Sequence, residues 1–242
     1  MGIRTLTLML VAALATIGLL ALSPDFSVFL PQLLRGAVLT VEIAVLGCLL
    51  AVAMGVFAAL ARMYGLRPLR WLATTYVEIF RGTSALVQLF WLFFVLPQFG
   101  VTLPPFLVAV LALGLNVGAY GSEVVRGAIL GVHRGQWEAA TALNMTRAEA
   151  LRRIILPQAF VAMIPPWGNL FIELLKATSL VSLITLADLT FKAQTLNQST
   201  FKTVPIFTLV LLLYLALSLV LTIGMRWLEN RAALGLARGS GR

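Results

Sequence analysis

The sequence predicts an all-α protein, a polytopic bundle of helices that cross a membrane. Of its 242 residues, 60% are hydrophobic and 11% are charged, and the mean hydropathy is +0.98. A soluble domain is usually about 25% charged, so these few charges cannot cover a water-facing surface. Several apolar stretches are long enough to cross about 30 Å of hydrocarbon as helices. A soluble enzyme, a disordered chain and a disulfide-stabilised secreted domain are therefore disfavoured.

Five core spans and one N-terminal candidate follow from the apolar stretches. The core spans cover residues 36–60, 83–97, 104–125, 155–184 and 205–225, and the second can begin earlier, near Thr74. Residues 5–22 form either an extra transmembrane helix or a cleaved signal peptide. Their length, and Pro24 just after the candidate cleavage site, favour a retained helix. The chain thus divides into an N-terminal segment 1–25, a membrane domain 26–232 and a tail 233–242.

The arginines predict the orientation of the chain, because basic residues concentrate in cytoplasmic loops. If the spans alternate, one side of the membrane holds most of the 18 Lys and Arg residues, namely Arg4, Arg62, Arg67, Arg70, Arg126, Arg134, Arg147, Arg152, Arg153, Arg226, Arg231, Arg238 and Arg242. The opposite loops hold Asp25, Asp188, Lys192 and Lys202. The net charge of +9 is therefore mainly a signal of orientation, and the C-terminus is expected to be cytoplasmic.

Covalent chemistry is not expected of this chain. It has no Gly-rich phosphate-binding loop ending in Lys-Ser or Lys-Thr, so it does not bind ATP in that way. One cysteine, Cys48, and one histidine, His133, are too few for a metal cluster. A Ser-His-Asp triad would need His133, which lies in an arginine-rich loop with no acid beside it. We interpret His133 as a solvated loop residue and predict no bound cofactor.

The longest predicted cytoplasmic connection contains a helical loop, residues 136–157. A first helix is expected over residues 136–143, followed by Asn144, which tolerates a left-handed conformation. Thr146 and Glu149 have the spacing of a capping box for a second helix. Pro157 ends that helix or begins the next span. The loop is either an ordinary helical surface loop or a docking site, whereas DNA binding is disfavoured because both of its ends are tied to the bilayer.

Three sets of residues carry a resemblance to a known family. The spacing of Glu138, Ala139, Ala140, Asn144, Ile154, Leu156 and Pro157 resembles the coupling loop of ABC importer permeases, in which glycine usually takes the position of Asn144. Residues 78–88 and 173–182 resemble the branch that takes up polar amino acids. Residues 142–145 and 183–191 resemble the permeases for ectoine and hydroxyectoine, in which Asn144 would be ordinary.

The resemblance implies a type I ABC importer fold and a set of partners. Two permease subunits, identical or related, would form the translocation path in the cytoplasmic (inner) membrane of a prokaryote. A dimer of cytoplasmic ATPase subunits, which hold ATP and Mg, would dock on the loop 136–157. A substrate-binding protein outside the membrane would deliver a polar amino acid or a similar zwitterion, such as ectoine. The permease itself would be non-catalytic and would bind no nucleic acid.

Polar residues inside the spans are candidates for the substrate path, because such residues usually face a cavity or a partner. The second, third and fourth spans carry them at helical spacing, which places them on one face of each helix. The candidates are Arg81, Gln88, Asn116, Tyr120, Glu123, Asn169, Glu173, Lys176 and Ser179. Glu78 and Ser84 continue the row of the second span. Intramembrane salt bridges that only fix the packing of the helices are the alternative interpretation.

Two further features leave alternatives open. Pro165, Pro166 and Gly168 predict a helix broken near the middle of the membrane, where transporters build binding sites, although a simple kink is also compatible. Glu42, in the first core span, faces either the path or a neighbouring subunit. A secondary carrier coupled to ions or protons through Glu42, Glu123 or Glu173 is the rival function, but it leaves the helical loop unexplained. A membrane scaffold leaves the polar rows unexplained.

Overall fold

The computed structural model describes residues 2–239, and their side chains as far as residue 233. Every regular element in this part of the chain is helical. The α-helices are α1 (Ile3–Leu20), α2 (Pro24–Ser27), α3 (Leu30–Tyr64), α4 (Arg67–Gly82), α5 (Ala85–Phe90), α6 (Pro105–Leu130), α7 (Arg134–Ala142), α8 (Arg147–Ala150), α9 (Leu156–Ala177), α10 (Leu189–Thr200) and α11 (Thr203–Gly239). Four shorter 3₁₀ and π turns extend α5, α8 and α9. The predicted all-α fold is confirmed.

Five helical segments have the length and apolarity to cross a membrane, and a bent pair gives a sixth. The five are Ile3–Leu20, Pro24–Tyr64, Pro105–Leu130, Arg147–Ile184 and Thr203–Ala233. The N-terminal candidate is thus a helix, and α1 packs along α11. A surface ion pair between Lys202 Nζ and Asp25 Oδ1, 2.7 Å long, joins α2 to the segment that precedes α11. The predicted tail 233–242 continues α11 to Gly239, and residues 240–242 lie outside the described part.

The second predicted span is a bent pair of helices, which corrects the expectation of one continuous helix face there. Helix α4 and the segment Ala85–Phe99 meet at an angle of 107°. Thr83 and Ser84 adopt extended conformations between them, so the helical hydrogen bonds stop at Gly82. Arg81 and Gln88 therefore lie on two different helices. A polar spacing of three and four residues predicts a shared face only where the helix continues, and here it does not.

The predicted break at Pro165 and Pro166 is also wrong. Helix α9 continues through both prolines from Leu156 to Ala177. A proline removes one backbone donor and leaves an earlier carbonyl without its helical partner, but neighbouring helices and solvated cavities can accommodate that loss. Both prolines are exposed, so their rings point away from the packed core. Gly168 is a packing site, where Met225 of α11 lies against α9. A Cβ atom added at this glycine would lie 3.3 Å from the Cβ of Met225.

Helix α6 is the centre of the bundle and packs most extensively against α3. A Cβ atom on Gly114 would lie 3.1 Å from the carbonyl oxygen of Gly47, so a larger residue would push the two backbones apart. Small residues at such crossings give membrane helices their packing energy. On the side facing α9, the ring of Trp167 fills the space that a side chain at Gly121 would need. Trp167 is 6% exposed and belongs to this core.

The segment before α10 contains a buried acid where the sequence predicts a loop outside the membrane. Asp188 is fully buried, and its Oδ1 accepts a hydrogen bond of 2.8 Å from the amide of Phe191, which caps α10. Among the described residues, its Oδ2 has no hydrogen-bond partner. Burial raises the pKa of Asp188 to about 6, although the amide of Phe191 opposes the shift. The backbone here is tightly packed, because a Cβ on Gly36 would lie 2.8 Å from the carbonyl oxygen of Asp188.

Candidate functional site

Two predicted path residues hold the bend between α4 and α5. The last carbonyls of a helix have no partner within the helix. Gln88 Nε2 donates to the carbonyl of Phe80 at 2.9 Å and to Thr83 Oγ1 at 2.6 Å. Asn116 Nδ2 donates to the same carbonyl at 2.9 Å and to Gln88 Oε1 at 3.2 Å. The two amides therefore replace the hydrogen bonds that the bend removes.

A cluster of charges joins the arginine-rich ends of α3, α4 and α6. We call it the Glu123 cluster, and its members are Glu123, Arg62, Arg81 and Arg126. Arg62 Nη1 lies 2.7 Å from Glu123 Oε1, and Arg126 Nη2 lies 2.7 Å from Glu123 Oε2. Arg81 Nη1 approaches Oε1 less closely, at 3.4 Å. Three guanidinium groups share one carboxylate, so the cluster keeps an excess of positive charge.

Tyr120 connects the Glu123 cluster to the bend. Its ring lies 5.6 Å from the guanidinium carbon of Arg81, within the range of a cation–π interaction. Its hydroxyl donates to the Arg81 carbonyl at 3.4 Å. Tyr120 is 40% exposed, whereas its neighbours on α6, Ala119 and Gly121, are buried. Tyr120 and Arg81 thus form one open polar surface beside the bend.

The polar residues of α9 form a second, separate surface. Asn169, Glu173 and Lys176 are exposed and share one face of α9. In the described part of the chain, neither Glu173 nor Lys176 forms an ion pair. Asn169 lines a cavity of about 320 Å³ between α9 and α11, together with Thr222 and other residues. Ser179 follows in a 3₁₀ turn, where its hydroxyl donates to the Lys176 carbonyl at 2.9 Å.

A single chain does not join the two polar surfaces. No hydrogen bond or ion pair of the described residues links the α6 set with the α9 row. The buried ring of Trp167 lies on the side of α9 that faces α6, so the polar face of α9 points elsewhere. Because it is buried, Trp167 is not open to a solute. The sequence prediction of three matched rows on one path is therefore not met within one protomer.

The loop 136–157 has the local structure that the sequence predicts. The first helix, α7, runs from Arg134 to Ala142, two residues earlier than expected at its start. Asn144 is left-handed, with φ of 56°. Thr146 and Glu149 form the predicted capping box, in which the Glu149 amide donates to Thr146 Oγ1 at 3.3 Å and the Thr146 amide to Glu149 Oε2 at 3.0 Å. His133 is exposed and caps α7 by accepting from the Gly135 amide.

The second half of the loop continues into the membrane helix that follows. Helix α8 passes through a π turn, Leu151–Ile155, directly into α9, and Pro157 lies in the first turn of α9. Glu138, Ala139 and Asn144 are exposed on the loop, whereas Ala140 is buried. Ile154 and Leu156 are half-buried against the core. Because α8, the π turn and α9 form one continuous helical segment, a displacement of the loop would also move α9.

An apolar cavity lies under the loop, beside the end of α3. Its volume is about 820 Å³, and its lining includes Leu60, Tyr64, Trp137 and Met145. Helix α7 contacts α8 and the π turn Leu151–Ile155, and the loop packs against the hydrophobic core through Ile155, Trp137 and Leu151.

Sequence reasoning missed two partners of Glu123. Arg62 and Arg126 were used only as indicators of orientation, yet both bind the carboxylate. Arg126 follows Glu123 by three residues on one helix, a spacing at which opposite charges meet, so the sequence contained that signal. Arg62 is 61 residues away, and only the packing of α3 on α6 brings it there. Glu42, whose direction the sequence left open, is exposed on α3.

Comparison with families of known proteins gives one match over most of the chain. The model of the family described as "Binding-protein-dependent transport system inner membrane component" matches residues 51–234. This range contains both polar surfaces and the loop 136–157.

Individual relatives agree with that match. A probable amino-acid ABC transporter permease protein of Sinorhizobium fredii is 45% identical over 215 residues, which cover 86% of this chain and 90% of that protein. The L-cystine transport system permease protein TcyB of Bacillus subtilis is 49% identical over 166 residues, 69% of this chain and 71% of that one. A crystal structure of an amino acid ABC transporter with histidines contains a chain that is 35% identical, with a TM-score of 0.80, covering 86% of this chain and 99% of that chain.

Proposed function

The chain belongs to the family of binding-protein-dependent transport system inner membrane components, and on that premise we propose that it imports amino acids with an ATPase and an extracytoplasmic binding protein. It is a non-catalytic permease subunit of an ABC transporter. The observation that carries the proposal is the loop 136–157, a helical unit that projects from the bundle and continues into α9. The alternative of a secondary carrier leaves this unit unexplained.

The loop is the proposed docking site of the ATPase. Glu138 and Ala139 are exposed on α7, while Ala140 and Ala150 are buried and Ile155 packs into the hydrophobic core. The capping box and the left-handed Asn144 fix the angle between α7 and α8 without help from a partner. A partner that binds a preformed surface loses less entropy on binding. Closure of an ATPase pair on ATP would push the loop, and α8 with its π turn would pass that push to α9.

The open polar row of α9 supports a second proposal, that two permease subunits enclose the path between them. Charged groups at membrane depth face a partner or a water-filled cavity. Glu173 and Lys176 are exposed on α9, so we infer that a second subunit or the solute covers them. The two subunits are identical or related chains.

The proposed solute is an amino acid or a similar zwitterion. One relative is named as an L-cystine permease, and the similar transporter was crystallised with histidines, so cystine and histidine are the first solutes to test here. Ectoine and hydroxyectoine complete the panel, since residues 142–145 and 183–191 resemble permeases for them. We also propose the inner membrane as the location, with the C-terminus and the arginine-rich helix ends in the cytoplasm.

Reconstitution tests the proposal directly. The chain is placed in proteoliposomes with its candidate ATPase and binding protein, and uptake of radiolabelled histidine, cystine and ectoine is measured with and without ATP. We expect uptake that requires ATP, the ATPase and the binding protein together. Uptake driven by an ion gradient with no ATPase present would contradict the proposal and favour a secondary carrier.

A charge reversal tests the docking site separately. Glu138→Lys should reduce co-purification of the ATPase, because it changes an exposed charge on the proposed docking surface. Glu78→Lys is the matched control, since Glu78 is an exposed glutamate on α4, outside the loop. Equal ATPase recovery with both variants would contradict the docking role of α7.

A further inference from the structure

Arg81 is held more weakly than the other arginines of the Glu123 cluster. Arg62 and Arg126 approach the two carboxylate oxygens to 2.7 Å each, whereas Arg81 stays 3.4 Å from Oε1. Oε1 is therefore already bound by Arg62. If Arg81 moved away, Glu123 would keep both of its short ion pairs. The contact between Arg81 and Glu123 can break at little cost to the rest of the cluster.

The charge balance of the cluster favours an additional anion. Three guanidinium groups face one carboxylate, so two positive charges are not neutralised by this acid. Glu78, three residues before Arg81 on α4, is exposed and forms no ion pair in the part of the chain that is described. Guanidinium groups bind carboxylates through pairs of hydrogen bonds, and Arg81 has donors left for this.

The position of Arg81 makes it reachable from a path but unsuited to lipid. Its side chain is 38% exposed, beside the 40% exposed ring of Tyr120. A guanidinium group favours water or protein, because contact with hydrocarbon is costly. Tyr120 also holds the backbone of Arg81 at the last turn of α4, just before the bend. The backbone of Arg81 is thus held in place, while its guanidinium group is held only weakly.

We propose that Arg81 binds the carboxylate of the transported amino acid at the arginine-rich end of the path, and that Glu123 takes the place of that carboxylate when the path is empty. The ligand in this inference comes from the proposed function. An internal carboxylate keeps the guanidinium from binding other anions between transport events. Because that internal contact is long, a substrate carboxylate that reaches Arg81 can replace it. Arg62 and Arg126 hold Glu123 in position for the return.

Direct binding tests this assignment without requiring transport. The permease complex is placed in nanodiscs without ATP and titrated in the millimolar range with L-histidine, L-cystine and ectoine, and with histidinamide, which lacks the carboxylate. We expect Arg81→Gln to weaken binding of the best amino acid about tenfold, as for the loss of a charge-assisted hydrogen-bonded pair. Histidinamide should bind the wild type and this variant equally. Arg81→Lys, which keeps the charge but not the planar pair of donors, should lie between them.

The matched control is Arg67→Gln, the same change on the first residue of the same helix. Arg67 is exposed and lies outside the Glu123 cluster, so binding should not change. The assignment is overturned if the wild type binds none of the carboxylates, or if Arg81→Gln binds them as the wild type does. It is also overturned if Arg81→Gln instead loses bound phosphatidylglycerol in native mass spectrometry, which would make the arginines a lipid site. Failure of ATP-driven uptake with this binding intact would count against the proposed function alone.

Discussion

The polar residues of α6 and those of α9 have the same spacing in the sequence but different surroundings in the fold. Asn116 and Glu123 on α6 make hydrogen bonds and ion pairs to α3, α4 and α5 within one chain. Asn169 and Glu173 on α9 are exposed. A polar row inside a membrane span can thus be a structural joint or an open binding surface, and the spacing alone does not distinguish them.

The difference follows from what each helix packs against. Helix α6 is the central helix, and its polar side meets the bend of α4 and α5, where freed carbonyls need donors. Helix α9 turns Trp167 toward the core and its polar side outward. Substitutions at matched residues should therefore lower stability more on α6 than on α9.

The largest effect is expected for the matched glutamates. Glu123→Ala leaves three arginines without their carboxylate and should lower stability by about 2 kcal/mol, a value discounted because Glu123 is partly solvated. That corresponds to a drop of roughly 5 °C in Tm. Glu173→Ala should leave Tm unchanged and reduce ATP-driven uptake. Thermal unfolding of both variants in detergent checks this, and an equal loss of Tm in the two would abolish the distinction between the helices.

The matched asparagines give the next effect. Asn116→Ala removes a donor from the Phe80 carbonyl and should cost about 1 kcal/mol, the value of one hydrogen bond. Gln88 still binds that carbonyl, which limits the loss. Asn169→Ala enlarges the cavity between α9 and α11 and should leave Tm within experimental error. If Asn169→Ala proves the more destabilising, α9 has a partner for its polar face within the chain.

Asp188 extends the comparison to a buried acid in which one of the two carboxylate oxygens has a hydrogen-bond partner and the other has none in the described part of the chain. Its pKa of about 6 lies above the ordinary 3.8. The unfolded chain therefore ionises first, and stability is lost as pH rises from about 4 to 6, with no further change above. Asp188→Asn keeps the cap on α10 and removes the ionisation. Its Tm should exceed that of the wild type at pH 7 and approach it near pH 4, and a difference independent of pH would contradict this.

The smallest effect is expected at Asn144, because its backbone conformation, and not a side-chain partner, determines which residues this position accepts. Glycine adopts a φ of 56° without strain, so Asn144→Gly should change the free energy of unfolding by less than about 1 kcal/mol and leave uptake within about twofold. Asn144→Val, which places a β-branched residue in that conformation, is the contrasting variant and should reduce ATPase co-purification. Equal behaviour of the two variants would show that the turn is not held in this form.

Prediction from sequence succeeded where the signal is local. The capping box of Thr146 and Glu149 and the left-handed Asn144 depend on neighbours within a few residues, and both are confirmed. It failed at Thr83 and Ser84, where the helix bends by 107°. The sequence around the bend contains no proline that would signal it, and the bend is stabilised by Asn116 from another helix.

The sequence by itself determined that this protein is an all-helical membrane protein with a capped helical loop, because hydrophobic length, charge placement and capping are properties of short segments; its resemblance to ABC importer permeases added the function. Only the tertiary structure decided which polar groups meet. Arg62 and Arg81 reach Glu123 from helices that are distant in sequence, and the close approach of α3 to α6 at glycines makes this possible. The burial of Trp167, which separates the two polar surfaces, depends on the same packing.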